Sequence, residues 1–91
     1  MNPIKNNGWE DVDYKFDDND ELNKKLSHIL NEACHVFYYH SDGNWKSLYK
    51  DRYARMLADE IRNKPSLIKK LLQLEDRVVK MITYRAIELD K

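Results

Sequence analysis

The sequence predicts an all-α fold: a small three-helix bundle whose third helix is the longest, with an extended, acidic N-terminal arm (residues 1–17). Three observations predict this class. Apolar residues recur at helical spacing through most of the predicted helical domain (residues 18–91). Only two glycines and two prolines are present, too few for a turn-rich β sandwich or barrel. A chain of 91 residues is long enough for one hydrophobic core but not for two.

The N-terminal arm has the pattern of an extended segment. Val12, Tyr14 and Phe16 alternate with Asp13 and Lys15, which is the period of a segment with one buried edge. No other strand is predicted for it to pair with. We therefore expect the arm to lie across the helices, or to pair with the arm of a second copy.

The first helix is predicted to begin at Asp18 and to end near Tyr39 or His40. Asp18 and Glu21 have the spacing of a capping box, and acids suit the positive end of a helix. Apolar residues then recur mainly at spacings of three and four, which predicts one buried face. These residues are Leu22, Leu26, Ile29, Leu30, Ala33 and Phe37.

A turn at residues 41–44 separates the first helix from the second. Its sequence, Ser-Asp-Gly-Asn, consists of residues that tolerate tight turns, and Gly43 supplies a positive φ. Asn44 is predicted to cap a second helix that runs to about Asn63. The apolar side of this helix consists of Trp45, Tyr49, Tyr53, Met56, Leu57 and Ile61.

The third helix is predicted from about Pro65 to Leu89, because proline is tolerated in a first turn but not in a helix interior. Its apolar residues form two adjacent stripes. A face that wide indicates two neighbours, either the other two helices or a second subunit. Short links make consecutive helices neighbours, which we expect to be antiparallel. The predicted core consists of Leu22, Leu26, Ile29, Leu30, Ala33, Phe37, Tyr49, Met56, Leu71, Leu72, Val78, Val79 and Ile82.

Charge and cysteine content limit the classes of protein. Lys+Arg and Asp+Glu both total 16, so net charge indicates no partner. Residues 1–21 carry seven acids and two lysines, whereas residues 62–91 carry eight bases and four acids, so the two ends attract each other. Cys34 is the only cysteine, which excludes an intrachain disulfide and a structural cysteine zinc site. Without a signal peptide or a membrane-spanning run, we expect a cytoplasmic protein that enters no membrane.

The histidines and the cysteine are the main candidates for chemistry. His28, Glu32, His35 and Tyr39 fall on one face of the first helix, opposite its apolar stripe, so we expect that face to be solvated and not to bind a metal. Cys34 lies at the edge of the apolar stripe, with no histidine base within reach, which favours a buried thiol. No phosphate loop, zinc-protease motif or nucleophile elbow occurs. We therefore predict a protein that is not an enzyme, with no catalytic residue, metal or cofactor.

The leading hypothesis from the sequence is a non-enzymatic interaction protein: a small adaptor, inhibitor or regulator that binds another macromolecule, as a homo-oligomer. The lack of catalytic motifs and the wide apolar face of the third helix support it. Predicted contacts with a protein partner lie on the arm and on the polar face of the first helix. They are Trp9, Tyr14, Phe16, His28, Glu32, His35 and Tyr39.

An alternative is a nucleotide- or nucleic-acid-binding protein that uses the helix at residues 45–57. Aromatic residues recur there every four positions and basic residues lie between them; rings stack on bases and cations contact phosphates. The same pattern is typical of a core helix with solvated lysines, and Asp51 dilutes the positive charge. The candidate residues are Trp45, Lys46, Tyr49, Lys50, Arg52, Tyr53 and Arg55.

Overall fold

The computed structural model describes residues 11–40 and 47–90. These residues form helices and no strand, which confirms the predicted all-α class. Four helices, instead of the predicted three, are present in the described residues. They are α1 (Asp20–His35), α2 (Ser47–Asn63), α3 (Leu67–Gln73) and α4 (Arg77–Leu89), with a π-helical turn (Val36–His40) directly after α1. The predicted turn at 41–44 and its cap Asn44 lie outside the described residues.

The predicted break at Pro65 is present, but the prediction of one long helix after it is wrong. Leu74 leaves the helical conformation with a ψ of 136°, and Asp76 is extended, with a φ of −144° and a ψ of 118°. The Asp76 carboxylate accepts hydrogen bonds from the backbone N–H groups of Val78 (2.9 Å) and Val79 (3.1 Å). The first N–H groups of a helix have no partner inside it, and aspartate is among the best residues to cap them. Asp76 therefore starts a new helix, α4.

The break also explains the wide apolar face predicted for the third helix. Leu67 and Leu71 are buried from α3, whereas Val78, Val79 and Ile82 are buried from α4. Each short helix therefore presents one narrow apolar stripe, and both stripes join the same core. The width of this apolar face therefore does not indicate a second subunit.

Helix α1 is capped one residue later than the capping-box pattern predicts. Asn19, and not Asp18, is the cap: its side-chain Oδ1 accepts hydrogen bonds from the N–H groups of Glu21 (3.0 Å) and Leu22 (3.2 Å). The Asp17 carboxylate accepts a hydrogen bond from the Asn19 N–H (3.0 Å), which fixes the turn before the helix. The apolar stripe predicted for this helix is buried or half-buried at Leu22, Leu26, Ile29, Leu30, Ala33 and Phe37.

The core face of α2 differs from the predicted one. Tyr49 and Met56, predicted in the core, are 39% and 37% exposed. The predicted Tyr53, Leu57 and Ile61 are buried, and two alanines, Ala54 and Ala58, join them in the buried stripe. On a wheel of about 100° per residue, the centre of this stripe lies about 110–130° from Tyr49 and Met56. Alanine contributes little to a hydrophobic pattern, but its small size allows neighbouring helices to approach closely.

Ion pairs join α2 to the C-terminal part of the chain. Arg85 of α4 makes a two-pronged contact with Asp51: its Nε is 2.7 Å from Oδ1 and its Nη2 is 3.2 Å from Oδ2. The hydrogen bonds from Arg85 hold the pKa of Asp51 below its usual value. Arg62, near the end of α2, contacts Asp90 directly after α4, with Nη2 2.9 Å from Oδ1. Both contacts join the helices that pack most extensively against each other.

Candidate binding surface

The described part of the N-terminal arm, residues 11–17 (the arm segment), lies along α1. It contains no helix, and no strand pairs with it among the described residues. Three polar side chains of α1, four positions apart, bind its backbone in place of a strand. They are Asn23, Ser27 and Asn31 (the polar row).

Two members of the polar row bind the N-terminal half of the arm segment. The Asn31 side chain binds both backbone groups of Val12: its Oδ1 accepts from the N–H (3.0 Å) and its Nδ2 donates to the carbonyl (2.8 Å). Ser27 Oγ accepts a hydrogen bond from the Tyr14 N–H (2.8 Å). These bonds satisfy the backbone groups of alternate residues in the arm segment, as the hydrogen bonds of a neighbouring strand do.

Asn23 binds the arm segment where it turns into α1. Its Oδ1 accepts hydrogen bonds from the N–H groups of Phe16 (2.8 Å) and Asp17 (3.0 Å), and its Nδ2 donates to the Asp17 carbonyl (2.7 Å). Asn23 is only 8% exposed, and the Phe16 ring lies in the hydrophobic core. Because buried backbone groups need hydrogen-bond partners, this one side chain allows the arm segment to enter the core.

The spacing of the polar row matches an extended backbone. Val12 and Phe16 are four residues apart, and the side chains that bind them, Asn31 and Asn23, are eight residues apart. At about 1.5 Å per helical residue, the row is about 12 Å long. Each residue of the arm segment therefore covers about 3 Å, close to the rise of a strand. Every second residue meets one polar side chain.

Lysines from the following elements hold the C-terminal end of the arm segment. Lys70 of α3 donates a hydrogen bond from Nζ to the Phe16 carbonyl (2.6 Å), and Lys64 forms an ion pair with Asp17. The rings of Tyr14 and Phe16 stack with their centroids 5.8 Å apart, and burial raises the pKa of the Tyr14 hydroxyl. The attraction expected between the acidic and basic ends of the chain is thus realised at Asp17 and Lys64.

Between Val12 and Lys15, the backbone of the arm segment is satisfied along one edge only. In an extended chain, neighbouring residues direct their N–H and C=O groups to opposite edges. Val12 and Tyr14 direct theirs to the polar row. The backbone groups of Asp13 and Lys15 (the outer edge) make no hydrogen bond within the part of the chain that the structure describes, and both side chains are exposed. The outer edge is therefore open to a second extended chain.

The aromatic residues predicted to contact a protein partner from the arm mainly hold the arm itself. Phe16 is buried in the core and Tyr14 is half-buried against it. Trp9 lies outside the described residues. Asp13 and Lys15, which alternate with these side chains, are exposed, and the sequence did not single them out.

The row His28, Glu32, His35 and Tyr39 lies at the surface of α1 and its π-helical turn. His28 Nε2 is 3.7 Å from Glu32 Oε2, and the His35 ring stacks on Tyr39 with centroids 5.3 Å apart. His35 Nε2 is 2.8 Å from the Asp11 carboxylate, so it ties the N-terminal end of the arm segment to α1. The described residues contain no group of three or more side chains placed to hold a metal ion.

Cys34 is fully buried beside the residue that caps α4. Its Sγ lies 3.9 Å from both carboxylate oxygens of Asp76. Burial, and then the Asp76 carboxylate, raise the pKa of Cys34 far above its ordinary value. The same two causes raise the pKa of the nearby Tyr38 hydroxyl. Because the thiolate is the nucleophile, we expect a thiol held protonated in this way to react slowly.

The residues predicted to bind a nucleotide are divided between core and surface. Tyr53 is 2% exposed, so its ring is not accessible to a base. Tyr49 is exposed on α2. Trp45 and Lys46 lie outside the described residues. The basic candidates that are exposed or half-buried are Lys50, Arg52 and Arg55.

The polar row is the functional feature that sequence reasoning missed. Asn23, Ser27 and Asn31 recur every four residues, but polar residues on an amphipathic helix are ordinarily assigned to its solvated face. Two patterns together indicate such a row. Polar residues occur at every fourth position of a helix, and apolar residues occur at every second position of the segment directly before it. Either pattern alone has an ordinary explanation.

Comparison of the chain with protein-family models, with curated proteins and with solved structures found no match. None of the helices in the described residues is long and apolar enough to cross a membrane.

Proposed function

We propose that the protein is a small non-enzymatic interaction protein, an adaptor, inhibitor or regulator, that binds another protein through the outer edge of the arm segment. The observation that carries the proposal is the backbone of Asp13 and Lys15, which makes no hydrogen bond within the described residues. An open edge accepts a strand from a partner, and main-chain hydrogen bonds supply the affinity. The burial of Cys34 and the raised pKa of its thiol support a non-enzymatic role, and a free thiol suits the reducing cytoplasm.

The arm segment is already ordered for such pairing. Asn23 and Ser27 fix its backbone on the side of α1, and the Phe16 ring anchors it in the core. A flexible segment loses conformational freedom when it binds, which weakens binding. In this protein the arm segment loses its conformational freedom when the chain folds. A partner strand therefore binds an edge that is already ordered.

The side chains at the outer edge give the pairing selectivity. Asp13 and Lys15 are both exposed and carry opposite charges two residues apart. Cross-strand pairs of opposite charge contribute about 0.2–1 kcal/mol each, and like charges directly opposite are destabilising. A strand with complementary charges at the same spacing is therefore preferred over an uncharged one.

The test compares two substitutions at one position of the outer edge. Lys15→Pro removes both the charge and the N–H, whereas Lys15→Ala removes only the charge; proline is compatible with an extended segment whose N–H is unpaired. We expect Lys15→Pro to lose capture of a partner in cross-linking pull-downs from the source cells, quantified by mass spectrometry, and Lys15→Ala to retain more of it. Equal capture by wild type and both variants contradicts the proposal.

A second candidate, favoured by the exposure of Tyr49, is a nucleotide- or nucleic-acid-binding surface on α2. Tyr49 supplies a ring, and Arg52 and Arg55 supply exposed cations on the same helix. Fluorescence polarisation with labelled DNA, RNA and nucleotides tests it. Binding through phosphates weakens steeply with salt and is reduced by Arg55→Ala, because counterions are released as phosphates are neutralised. Salt-insensitive or absent binding contradicts this candidate.

A further inference from the structure

We infer that the occupant of the outer edge is the outer edge of a second copy of this chain, paired antiparallel about a two-fold axis that passes through Tyr14. The inference rests on the proposed function and names its partner. The inference is supported by the unpaired backbone edge of the arm segment and by its charges. Asp13 and Lys15 are exposed, carry opposite charges and lie on the two sides of Tyr14. A two-fold axis pairs a surface with itself, so this surface must be complementary to its own rotated copy.

The alternation of the backbone limits how two outer edges can pair. Only odd-numbered residues of the arm segment present N–H and C=O groups to the outer edge, so odd residues must face odd residues across the pair. With the axis at Tyr14, Asp13 lies opposite the partner subunit's Lys15, and Lys15 lies opposite the partner subunit's Asp13. Both cross-strand pairs then carry opposite charges, which stabilises antiparallel strands.

Other registers bring like charges together or need backbone groups that are already bonded. With the axis at Asp13, that residue faces its own copy, and the Asp11 carboxylate, which would face the partner subunit's Lys15, is already bound to His35. With the axis at Lys15, that residue faces its own copy, and like charges directly opposite are destabilising. A shift further toward the N-terminus places Asp11 opposite the partner subunit's Asp13. A shift further toward the C-terminus uses the backbone of Asp17, which is bound to Asn23. The register centred on Tyr14 is the favourable one.

The C-terminal half of the arm segment borders an open cleft. This cleft of about 300 Å³ lies between the arm segment and α3. It is lined by Tyr14, Lys15, Phe16, Lys70, Gln73 and Leu74. Of the two outer-edge residues, Lys15 borders this cleft, and Lys70, which also lines it, binds the Phe16 carbonyl.

The experiment reverses the charges one at a time. In Asp13→Lys and in Lys15→Asp, both cross-strand pairs become like-charged, and we expect the dimer dissociation constant to rise about tenfold or more. A 1:1 mixture of the two variants restores opposite charges in both pairs, so we expect a heterodimer with an affinity close to that of the wild type. The double variant is expected to recover a homodimer. Sedimentation velocity measures the affinities, and native mass spectrometry identifies the heterodimer.

Matched substitutions on α2 control for changes in net charge. Asp59→Lys and Arg55→Asp change the charge by the same amounts at exposed positions away from the arm segment, and we expect them to leave dimerisation unchanged. Asp13 and Lys15 are exposed, so their variants are expected to keep the wild-type circular dichroism spectrum. A variant that loses helix content is replaced in the comparison by Asp13→Asn or Lys15→Gln, for which we expect a smaller weakening of the dimer.

Two results overturn the inference. One is a wild-type chain that stays monomeric at high micromolar concentration. The other is a dimer whose dissociation constant does not respond to the charge reversals, because such a dimer uses another surface. The proposed function has a separate readout in the comparison of Lys15→Pro with Lys15→Ala. If that difference in capture persists in a monomeric chain, the proposed function stands and the inference of a second copy fails.

Discussion

Asn23→Ala tests whether the polar row holds the arm segment in place. Asn23 makes three hydrogen bonds with the arm segment: it accepts from Phe16 N–H and Asp17 N–H and donates to the Asp17 carbonyl. Alanine leaves the buried Phe16 N–H without a partner, which costs about 1–3 kcal/mol, and each of the other two bonds contributes about 1 kcal/mol. Alanine also favours the helix by about 0.6 kcal/mol over asparagine. We therefore expect a net loss of about 3 kcal/mol in the free energy of unfolding.

Asn31→Ala is the matched control, because it removes the same side chain from the exposed end of the polar row. Its two bonds to Val12 are exposed, so water replaces them, and the same gain in helix propensity applies. We expect a loss of about 0.5 kcal/mol. Urea unfolding followed by circular dichroism at 222 nm, with an unchanged m-value, measures both variants. Thermal melting of Asn23→Ala is expected to shift by about 12–24 °C.

Equal losses for the two asparagine variants would refute this reasoning, because burial is what distinguishes the two sites. A loss below about 1 kcal/mol for Asn23→Ala would refute it as well, since it would mean that water reaches the Phe16 N–H in the folded state.

Three further predictions concern α2, Cys34 and the ion pair of α4. Tyr53→Ala is expected to lower the free energy of unfolding by about 3 kcal/mol, as large-to-small core changes do, and Tyr49→Ala by less than about 1 kcal/mol, since Tyr49 is at the surface. Urea titrations measure the difference, and equal losses would contradict the observed core face. Cys34 is expected to resist a thiol reagent at neutral pH in the folded protein and to react as urea unfolds it; rapid native labelling would contradict its burial. Arg85→Gln is expected to flatten the acid dependence of stability. The pKa of Asp51 is lowered in the folded state, so its contribution is present above the unfolded pKa of about 3.9 and is lost as pH falls through the folded value. Urea midpoints between neutral and acid pH that fall equally in both proteins would contradict this prediction.

The helical class and most of α1 follow from the sequence, because a period of 3.6 is a strong signal over four turns. The failures have local causes. Asp76 is one polar residue within a long apolar pattern, yet its carboxylate caps a new helix and interrupts that pattern. Ala54 and Ala58 define the buried face of α2, but small side chains carry little weight in a hydrophobic pattern. A helix cap and a close contact between helices both depend on the three-dimensional arrangement of the chain, which a hydrophobic pattern does not contain.

The candidate surface was predictable only in part. The alternation of Val12, Tyr14 and Phe16 predicts an extended arm with one buried edge, and the described residues have that arrangement. What the sequence could not supply was the partner of that edge, because Asn23 and its neighbours in the polar row have the same pattern as a solvated face. Only the position of the polar row shows which backbone groups of the arm segment are bound, and therefore that those of Asp13 and Lys15 are not.

The polar row has a further consequence, which comes from the mismatch between four residues and one helical turn. Since a turn takes 3.6 residues, positions four apart are rotated by about 40°, and the row winds around α1 by about 80° from its first member to its third. A backbone that follows this spiral must leave the interior: Phe16 is 3% exposed, whereas Val12 is 38% exposed. At the next position of the spiral, His35 binds the carboxylate of Asp11 and no backbone group of residues 11–17. An extended segment can therefore pair with side chains of a straight helix over only a few residues. The rotation of the row around the helix sets the length of the paired segment.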